Sequence, residues 1–160
     1  MARLESGNLN LKLGWHSMTD LVRSSVEKLQ GEIKLHKIIN KVKDDFVFKF
    51  DFALLEQALI NILHNSLSHT SSESEIVIEG MQQSYNYILS ISDNGNGFNE
   101  EALIKLFDKF YRIPGTKTGG TGLGLSIAKG FIEAHGGTIT AANKKNGGAV
   151  FTIILPIKEK

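Results

Sequence analysis

The segment DFALLEQALINILHNSLSH, residues 51–69, carries the longest helical pattern in the sequence. Asp51 is placed to begin the predicted helix, and the pattern ends near His69. Apolar side chains recur along it at helical spacing and form one stripe, which consists of Leu55, Leu59, Ile62, Leu63 and Leu67. A helix with so apolar a side is not peripheral, and we expect it to pack against the core of the domain.

Shorter patterns on both sides of this helix predict a sheet and further helices. Strand-like segments are found at residues 9–13, 38–42, 46–50, 75–80, 87–92, 137–142 and 149–155, helical ones at 17–29, 102–107 and 123–135, and loops at 82–86 and 111–121. Strands that mostly follow one another directly imply antiparallel neighbours in a mixed sheet. With three main helices on one face, the expected fold is a two-layer α/β (α+β) sandwich. A doubly wound nucleotide fold is excluded, because there a helix separates each strand from the next.

The composition is that of one ordinary globular domain. The chain has 160 residues, with 18 Lys and Arg against 17 Asp and Glu, so no charge excess indicates binding to nucleic acid. It contains no Cys, which excludes disulfides, thiolate zinc sites and cysteine catalysis. No apolar run reaches the ~18 residues that are needed to cross a bilayer.

The first seven residues, Met1 to Gly7, read as the last turns of a longer helix, with Gly7 as its stop signal. We therefore expect the chain to be a fragment of a longer protein, with residues 1–7 as the tail of a preceding helix and one domain over residues 8–160. A native start with a short helix is the alternative interpretation.

Two amides lie on the polar side of the central helix. Asn61 and Asn65 are four residues apart and share one face, roughly opposite the leucine stripe. A polar helix face is usually only solvated, but this helix is too apolar on its other side to be peripheral. An Asn carbonyl oxygen is a neutral, hard ligand that suits Mg²⁺, and it adds no negative charge beside a triphosphate.

The sequence DNGNGF, residues 93–98, follows directly after a predicted strand. A plain hairpin turn explains its glycines, because Asn-Gly is a strong turn signal, but it does not explain the acid at the strand end. A buried Asp93 carboxylate accepts hydrogen bonds only, which matches the exocyclic amine of adenine and mismatches the carbonyl of guanine. The residue pattern therefore predicts an adenine-selective acceptor.

A second glycine cluster, GGTGLGL at residues 119–125, runs into a predicted helix. Its alternating glycines let backbone amides turn toward a phosphate, and a helix N-terminus adds positive potential. The cluster is neither a Walker A loop nor a Rossmann fingerprint, because both the sequence and the spacing differ.

Together these clusters resemble the GHKL superfamily, whose ATP-binding domain has the Bergerat fold, and within it the histidine kinases. The matching segments are Asn61-x-x-x-Asn65 for the asparagine box, Asp93 to Phe98 and Gly120 to Leu125 for the two glycine boxes, and Phe107 to Arg112 for the phenylalanine box. Ala2 to Gly7, Leu11-Lys12 and Trp15 are similar to the potassium-responsive KdpD-type kinases.

The resemblance implies a role for each matching residue. Asn65 is expected to bind Mg²⁺, Asp93 to select adenine, and Arg112 to reach the γ-phosphate, with Asn61 as a second catalytic residue. The other expected nucleotide contacts are Gly95, Gly97, Phe98, His69, Lys109, Gly120, Thr121, Gly122, Leu123, Gly124 and Leu125. Ser68 stands where the family often has a Lys, and this leaves two outcomes: Lys109 or Lys117 replaces that charge, or ATP binds weakly.

The resemblance also implies a kinase and not a hydrolase. ATPases of this superfamily have a Glu at the place of Asn61, and an amide cannot act as the general base that activates water. The nucleophile is then expected to be a histidine on the kinase's own dimerisation domain, since none of the five histidines here lies in a phosphoacceptor-like sequence. The implied protein is a homodimeric sensor in the bacterial inner membrane that signals to a response regulator. The resemblance implies that this chain is the cytoplasmic part of that protein, and we expect the isolated chain to be monomeric.

Two other functions share these motifs. A serine kinase of the anti-sigma-factor type has the same boxes but stands alone as a small protein. A non-catalytic nucleotide sensor would bind adenine nucleotides without transferring phosphate.

Overall fold

The computed structural model describes residues 9–33, 35–43, 46–114 and 122–157. The strands are β1 (Gly14–Ser17), β2 (Lys37–Asn40), β3 (Val47–Phe50), β4 (Glu75–Gln83), β5 (Asn86–Asp93), β6 (Thr138–Asn143) and β7 (Ala149–Pro156). The helices are α1 (Met18–Lys28), α2 (Gln30–Ile33), α3 (Phe52–Ser68), α4 (Glu100–Lys105) and α5 (Gly124–Ala134). The predicted helix tail at residues 1–7 and most of the predicted loop at 111–121 lie outside the described residues.

The main sheet has five strands in the order β2-β4-β5-β7-β6, and only the β2–β4 pair is parallel. Strands β1 and β3 form a separate antiparallel pair. Every second residue of β5 and β7 is buried, and α3 packs between α1 and α5. The prediction of a mixed, mostly antiparallel sheet in a two-layer sandwich is therefore confirmed.

Strands β2 and β3 follow one another in the chain but do not pair. A parallel neighbour requires a crossover connection, and β3 together with α3 supplies that connection between β2 and β4. The order of the strands along the chain therefore does not give their order in the sheet here.

The strand predicted at residues 9–13 is wrong, and the strand begins at Gly14. The four residues of β3 pair with Gly14–Ser17, and the next residue, Asp51, already caps α3. The N–H of Lys12 donates to the Asp51 carboxylate (2.8 Å) and not to a strand. Leu13 remains 44% exposed, so the alternation of leucines does not mark a buried face.

Other boundaries shift by a few residues. The hairpin strands β4 and β5 extend to Gln83 and Asn86, because Ser84 adopts the left-handed region (φ 55°) and allows a two-residue turn. Helix α4 begins at Glu100 because the side chain of Asn99 accepts the N–H of Ala102 (2.7 Å).

The turn between β6 and β7 fits closely against the end of β5. Gly148 has φ 88°, and a Cβ atom at this position would lie 1.9 Å from the carbonyl oxygen of Asp93. Only glycine combines this backbone angle with so close an approach. The turn therefore fixes the strand end that carries the candidate adenine-selecting acid.

A histidine joins the end of α5 to the start of α3. The Nε2 atom of His135, at the end of α5, accepts the backbone N–H of Asp51 (3.0 Å), while its Nδ1 atom donates to the carbonyl of Phe131 (2.8 Å). These roles require a neutral ring that carries its proton on Nδ1.

Glu56 is the buried acid that ties α3 to α1. Its carboxylate accepts hydrogen bonds from the ammonium of Lys28 and the hydroxyl of Ser24. Burial raises the pKa of Glu56, but these hydrogen bonds and the charge of Lys28 outweigh it, so the pKa lies below its ordinary value. The charged form is therefore favoured by folding.

We expect Glu56→Gln to destabilise the chain near pH 7 and to have less effect in acid. Because the pKa is lowered in the folded state, the stabilisation is complete above the ordinary value of 4.5 and is lost as the pH falls through the folded-state pKa. Urea unfolding of wild type and variant between pH 7 and pH 3 would measure this. The exposed pair Glu101–Lys105 (3.3 Å) gives the control Glu101→Gln, which should be nearly neutral throughout. A Glu56→Gln difference that does not change with pH would contradict the assignment.

Candidate functional site

Asp93 is the last residue of β5 and is only 6% exposed. Its Oδ1 atom accepts the backbone N–H groups of Gly95 (2.9 Å) and Ala149 (3.3 Å). Its carbonyl oxygen accepts a hydrogen bond from the ammonium of Lys144 (3.1 Å). The Oδ2 atom has no hydrogen-bond partner among the described residues. The carboxylate is thus held rigidly by one oxygen, and the other is left to accept from a ligand.

The glycine turn after Asp93 is held by a residue that the sequence did not suggest. Asn143, the last residue of β6, accepts the N–H of Phe98 through Oδ1 (2.8 Å) and donates to the carbonyl of Phe98 through Nδ2 (2.6 Å). Gly97 has φ 73°, and a Cβ atom there would lie 2.6 Å from the same Asn143 oxygen. No local pattern could have identified Asn143, because its partner lies 45 residues away in sequence.

His69 and Phe98 form an apolar edge beside the acid. Their rings meet edge to face with centroids 6.1 Å apart, and Phe98 also contacts Phe151 in the core (6.2 Å). Burial lowers the pKa of His69 below its ordinary value; the charge of Asp93 opposes this shift, and His64 adds to it. His69 is therefore favoured as a neutral ring next to Asp93.

Asn65 lies on α3 and has a buried Oδ1 atom without a hydrogen-bond partner among the described residues. An unpaired buried carbonyl oxygen is costly, and such an atom usually has a partner in the functional state. Its chemistry fits a hard cation such as Mg²⁺. Ser68, one turn further on, is half-buried.

Asn61 connects α3 to the start of α5. Its Nδ2 atom donates to the carbonyl of Gly124 (3.0 Å), and its Oδ1 atom accepts from the side chain of Gln57 (2.9 Å). The side chain therefore positions the N-terminus of α5 beside the Asn65 face of α3.

The first turn of α5 has no side-chain cap among the described residues. Leu123 is the N-cap residue and makes no side-chain hydrogen bond to the first turn, so this turn has no side-chain cap. Gly122 accepts the N–H of Phe110 (2.9 Å), which joins the end of the phenylalanine box to the second glycine box. The side chain of Leu125 packs in the core.

The structure gives less detail on the other predicted nucleotide contacts. Lys109 and Arg112 are exposed side chains on the segment that approaches Gly122. Gly120 and Thr121 lie outside the described residues, so their predicted phosphate contacts stay predictions. The structure thus brings together Asp93, His69 and the first glycine box. It also brings Asn61 to Gly124 of the second glycine box.

Comparison with known proteins gives a consistent family. The family model described as histidine kinase-, DNA gyrase B- and HSP90-like ATPase matches residues 50–159. The sensor protein KdpD of Escherichia coli (strain K12) is 35% identical over 98% of this chain and 18% of that protein. The sensor protein KdpD of Clostridium acetobutylicum is 34% identical, with the same two coverages, 98% and 18%. The chain therefore spans less than a fifth of the length of these relatives.

Among solved structures, a nucleotide-free form of the catalytic domain of histidine kinase ThkA matches with a TM-score of 0.77 and 28% identity, over 92% of this chain and 97% of that domain. The resemblance to the GHKL superfamily is confirmed by the family model and by this fold. The chain belongs to the family of histidine kinase-, DNA gyrase B- and HSP90-like ATPases, and the relatives named here are two sensor proteins and the catalytic domain of a histidine kinase.

Proposed function

We propose that this chain binds Mg-ATP and donates the γ-phosphate to a histidine on the dimerisation domain of its own kinase, in two-component signalling. The observation that carries the proposal is the Asp93 carboxylate, which two backbone amides hold by one oxygen while the other has no partner among the described residues. A buried acceptor of this kind recognises the exocyclic amine of adenine and leaves guanine without a matching donor.

Asn65 and the start of α5 are proposed to hold the metal and the phosphates. The unpaired oxygen of Asn65 supports a place for it in the coordination of Mg²⁺, which neutralises charge on the phosphates when bound. The first turn of α5, which lacks a side-chain cap, can offer backbone N–H groups and positive potential to the same phosphates. We propose that Arg112 and Lys109 add positive charge from the neighbouring segment, and that Gly120 and Thr121 contribute backbone contacts.

The arrangement of Asn61 favours phosphate transfer over hydrolysis. Both groups of its amide are engaged, one by Gln57 and the other by the carbonyl of Gly124. An amide so placed cannot take a proton from water, and the nucleophile must come from another domain. We therefore propose that the dimerisation domain of the same kinase and, beyond it, a response regulator are the partners.

The similarity to two KdpD proteins supports a KdpD-type kinase, and we extend the proposal to potassium or osmotic sensing by the full-length protein. No helix within the described ranges is long and apolar enough to span a membrane. We propose that this domain works in the cytoplasm as part of a homodimeric inner-membrane protein.

Asp93→Asn should remove most ATP affinity and the preference for ATP over GTP. The variant replaces a carboxylate, which only accepts hydrogen bonds, with an amide. Loss of the charged hydrogen bond to the ligand is expected to reduce the affinity for ATP about 10- to 100-fold. Calorimetric titration with ATP and GTP would measure both effects. The control is Asp20→Asn, an exposed acid on α1 whose partner is Arg23. Unchanged ATP affinity in Asp93→Asn would remove the basis of the proposal.

Asn65→Ala should weaken Mg-ATP more than metal-free ATP. Loss of a metal-binding oxygen is expected to reduce the affinity for Mg-ATP about tenfold, while the base contacts at Asp93 stay intact. The measurement is titration with ATP in the presence of Mg²⁺ and of a chelator. Gln83→Ala, an exposed amide at the far end of β4, is the control. Equal losses with and without the metal would argue against a metal ligand.

Phosphate transfer itself should require the second domain. The chain alone should bind ATP without becoming labelled by γ-³²P-ATP, because it lacks a phosphoacceptor sequence. When it is joined to the dimerisation domain of its kinase, we expect an acid-labile label on histidine. Bound ATP with no transfer in the joined protein would favour a nucleotide sensor, and transfer to an added serine substrate would favour a serine kinase.

A further inference from the structure

The turn that follows β6 contacts both ends of the first glycine box. At the beginning of the box, the ammonium of Lys144 donates to the carbonyl oxygen of Asp93 (3.1 Å). At the end of the box, the side chain of Asn143 contacts the main chain of Phe98. These contacts span 51 and 45 residues of sequence. Two consecutive residues therefore hold the segment 93–98 at its two ends.

Asn143 binds Phe98 as a residue of a neighbouring strand would. Its Oδ1 atom accepts the N–H of Phe98 (2.8 Å), and its Nδ2 atom donates to the carbonyl of the same residue (2.6 Å). In an antiparallel sheet, a hydrogen-bonded residue likewise exchanges both of its main-chain groups with one partner. The amide thus supplies a strand-like pairing at a point where β5 has already ended.

The same side chain lies against Gly97. This glycine has φ 73°, and a Cβ atom there would come within 2.6 Å of Asn143 Oδ1. Glycine loses more conformational freedom on ordering than any other residue. A turn that contains both Gly95 and Gly97 is therefore costly to order, and contacts from outside the turn reduce the number of conformations it can adopt.

Phe98 connects this contact to the candidate nucleotide site. Its ring meets the ring of His69 edge to face (centroids 6.1 Å apart) and packs on Phe151 in the core (6.2 Å). The Asp93 carboxylate influences the pKa of the same histidine. A side chain that holds the main chain of Phe98 therefore also limits where this ring can lie beside the acid.

We propose that Asn143 is a positioning residue for the nucleotide, which keeps the first glycine box and Phe98 ordered before the base binds. This inference rests on the proposed function of the site. A ligand that must first order a loop and an aromatic side chain binds more weakly, because the entropy of ordering is subtracted from its affinity. Asn143 acts through Gly97 and Phe98, and it is not one of the predicted nucleotide contacts.

Asn143→Ala should weaken the binding of ATP about 3- to 10-fold, which corresponds to about one net hydrogen bond. ADP should lose affinity by the same factor, because both nucleotides present the same base to the segment beside Asp93. Calorimetric titration with the two nucleotides would measure this. Asn143 is exposed, so its replacement leaves the core unchanged.

Asn40→Ala is the matched control. The Oδ1 atom of Asn40 accepts the N–H of Val42 (2.9 Å) at the end of β2, two strands away from β5 in the sheet. Like Asn143→Ala, this variant removes an amide that binds the main chain just beyond a strand. It should change Tm by a similar small amount and leave the affinity for ATP unchanged.

Amide hydrogen exchange separates positioning from a general loss of stability. The N–H of Gly95, which donates to Asp93, keeps its acceptor in Asn143→Ala. Without nucleotide, this amide should exchange faster in Asn143→Ala than in wild type, because the turn opens locally more often. Saturating ATP should restore its protection, whereas the amides of β7 should be equally protected in all samples.

Each other result overturns the inference. Unchanged ATP affinity in Asn143→Ala would overturn the role of Asn143 and leave the proposed function intact. A loss for ATP without a loss for ADP would place the effect at the γ-phosphate. Unchanged exchange at Gly95 would show that the turn is ordered without Asn143, and an equal loss in Asn40→Ala would show a general effect on stability. Wild type that binds no ATP would overturn the proposed function and this inference together.

Discussion

The Asp93 carboxylate depends on hydrogen bonds from two segments that are distant from each other in sequence. Gly95 belongs to the turn after β5, and Ala149 begins β7, 56 residues further along the chain. Both amides reach the same oxygen because β5 and β7 are neighbours, with Ser92 opposite Val150. The glycine at position 148 allows the β6–β7 turn to approach the Asp93 carbonyl. The proposed selection of a base requires a rigid acceptor, and the sheet supplies that rigidity.

Helix α3 contributes both apolar side chains and buried polar atoms to the interior of the domain. Its leucine stripe is buried between α1, α5 and the sheet, whereas Asn65 and Ser66 each leave a buried oxygen without a partner among the described residues. Two such atoms cost about 1–3 kcal/mol each, and the burial of the leucine side chains offsets this cost. The packing of the helix thus maintains buried polar atoms that the described residues do not satisfy.

The contact between Asn61 and Gly124 bears on both the position of α5 and the absence of a general base at residue 61. The Nδ2 atom donates to the Gly124 carbonyl, and a carboxylate in its place could not donate this bond. The amide therefore does two things at once: it fixes the start of α5 beside α3, and it removes the group that would activate water. This arrangement supports the proposed transfer to an external nucleophile.

Much of this architecture could be predicted from the sequence because it rests on local patterns. The leucine periodicity of α3, its Asp51 cap and the alternation in β5 and β7 are read within single segments, and the structure confirms them. The motif spacing also selected Asp93, Asn65 and the glycine clusters as candidate nucleotide contacts, and their roles stay predictions. The strand expected at residues 9–13 failed for the opposite reason, since strand pairing is not local and β3 ends before it could reach Leu13.

By itself the sequence determined the element types, the family and the residues that could contact a nucleotide. Only the tertiary structure decided which of their atoms are available. It showed that one Asp93 oxygen is already bound, that Asn143 holds the glycine turn, and that the buried hydroxyl of Ser66 has no hydrogen-bond partner among the described residues. The reason is physical: hydrogen-bond satisfaction depends on partners brought together by the sheet, and distance along the chain carries no record of them.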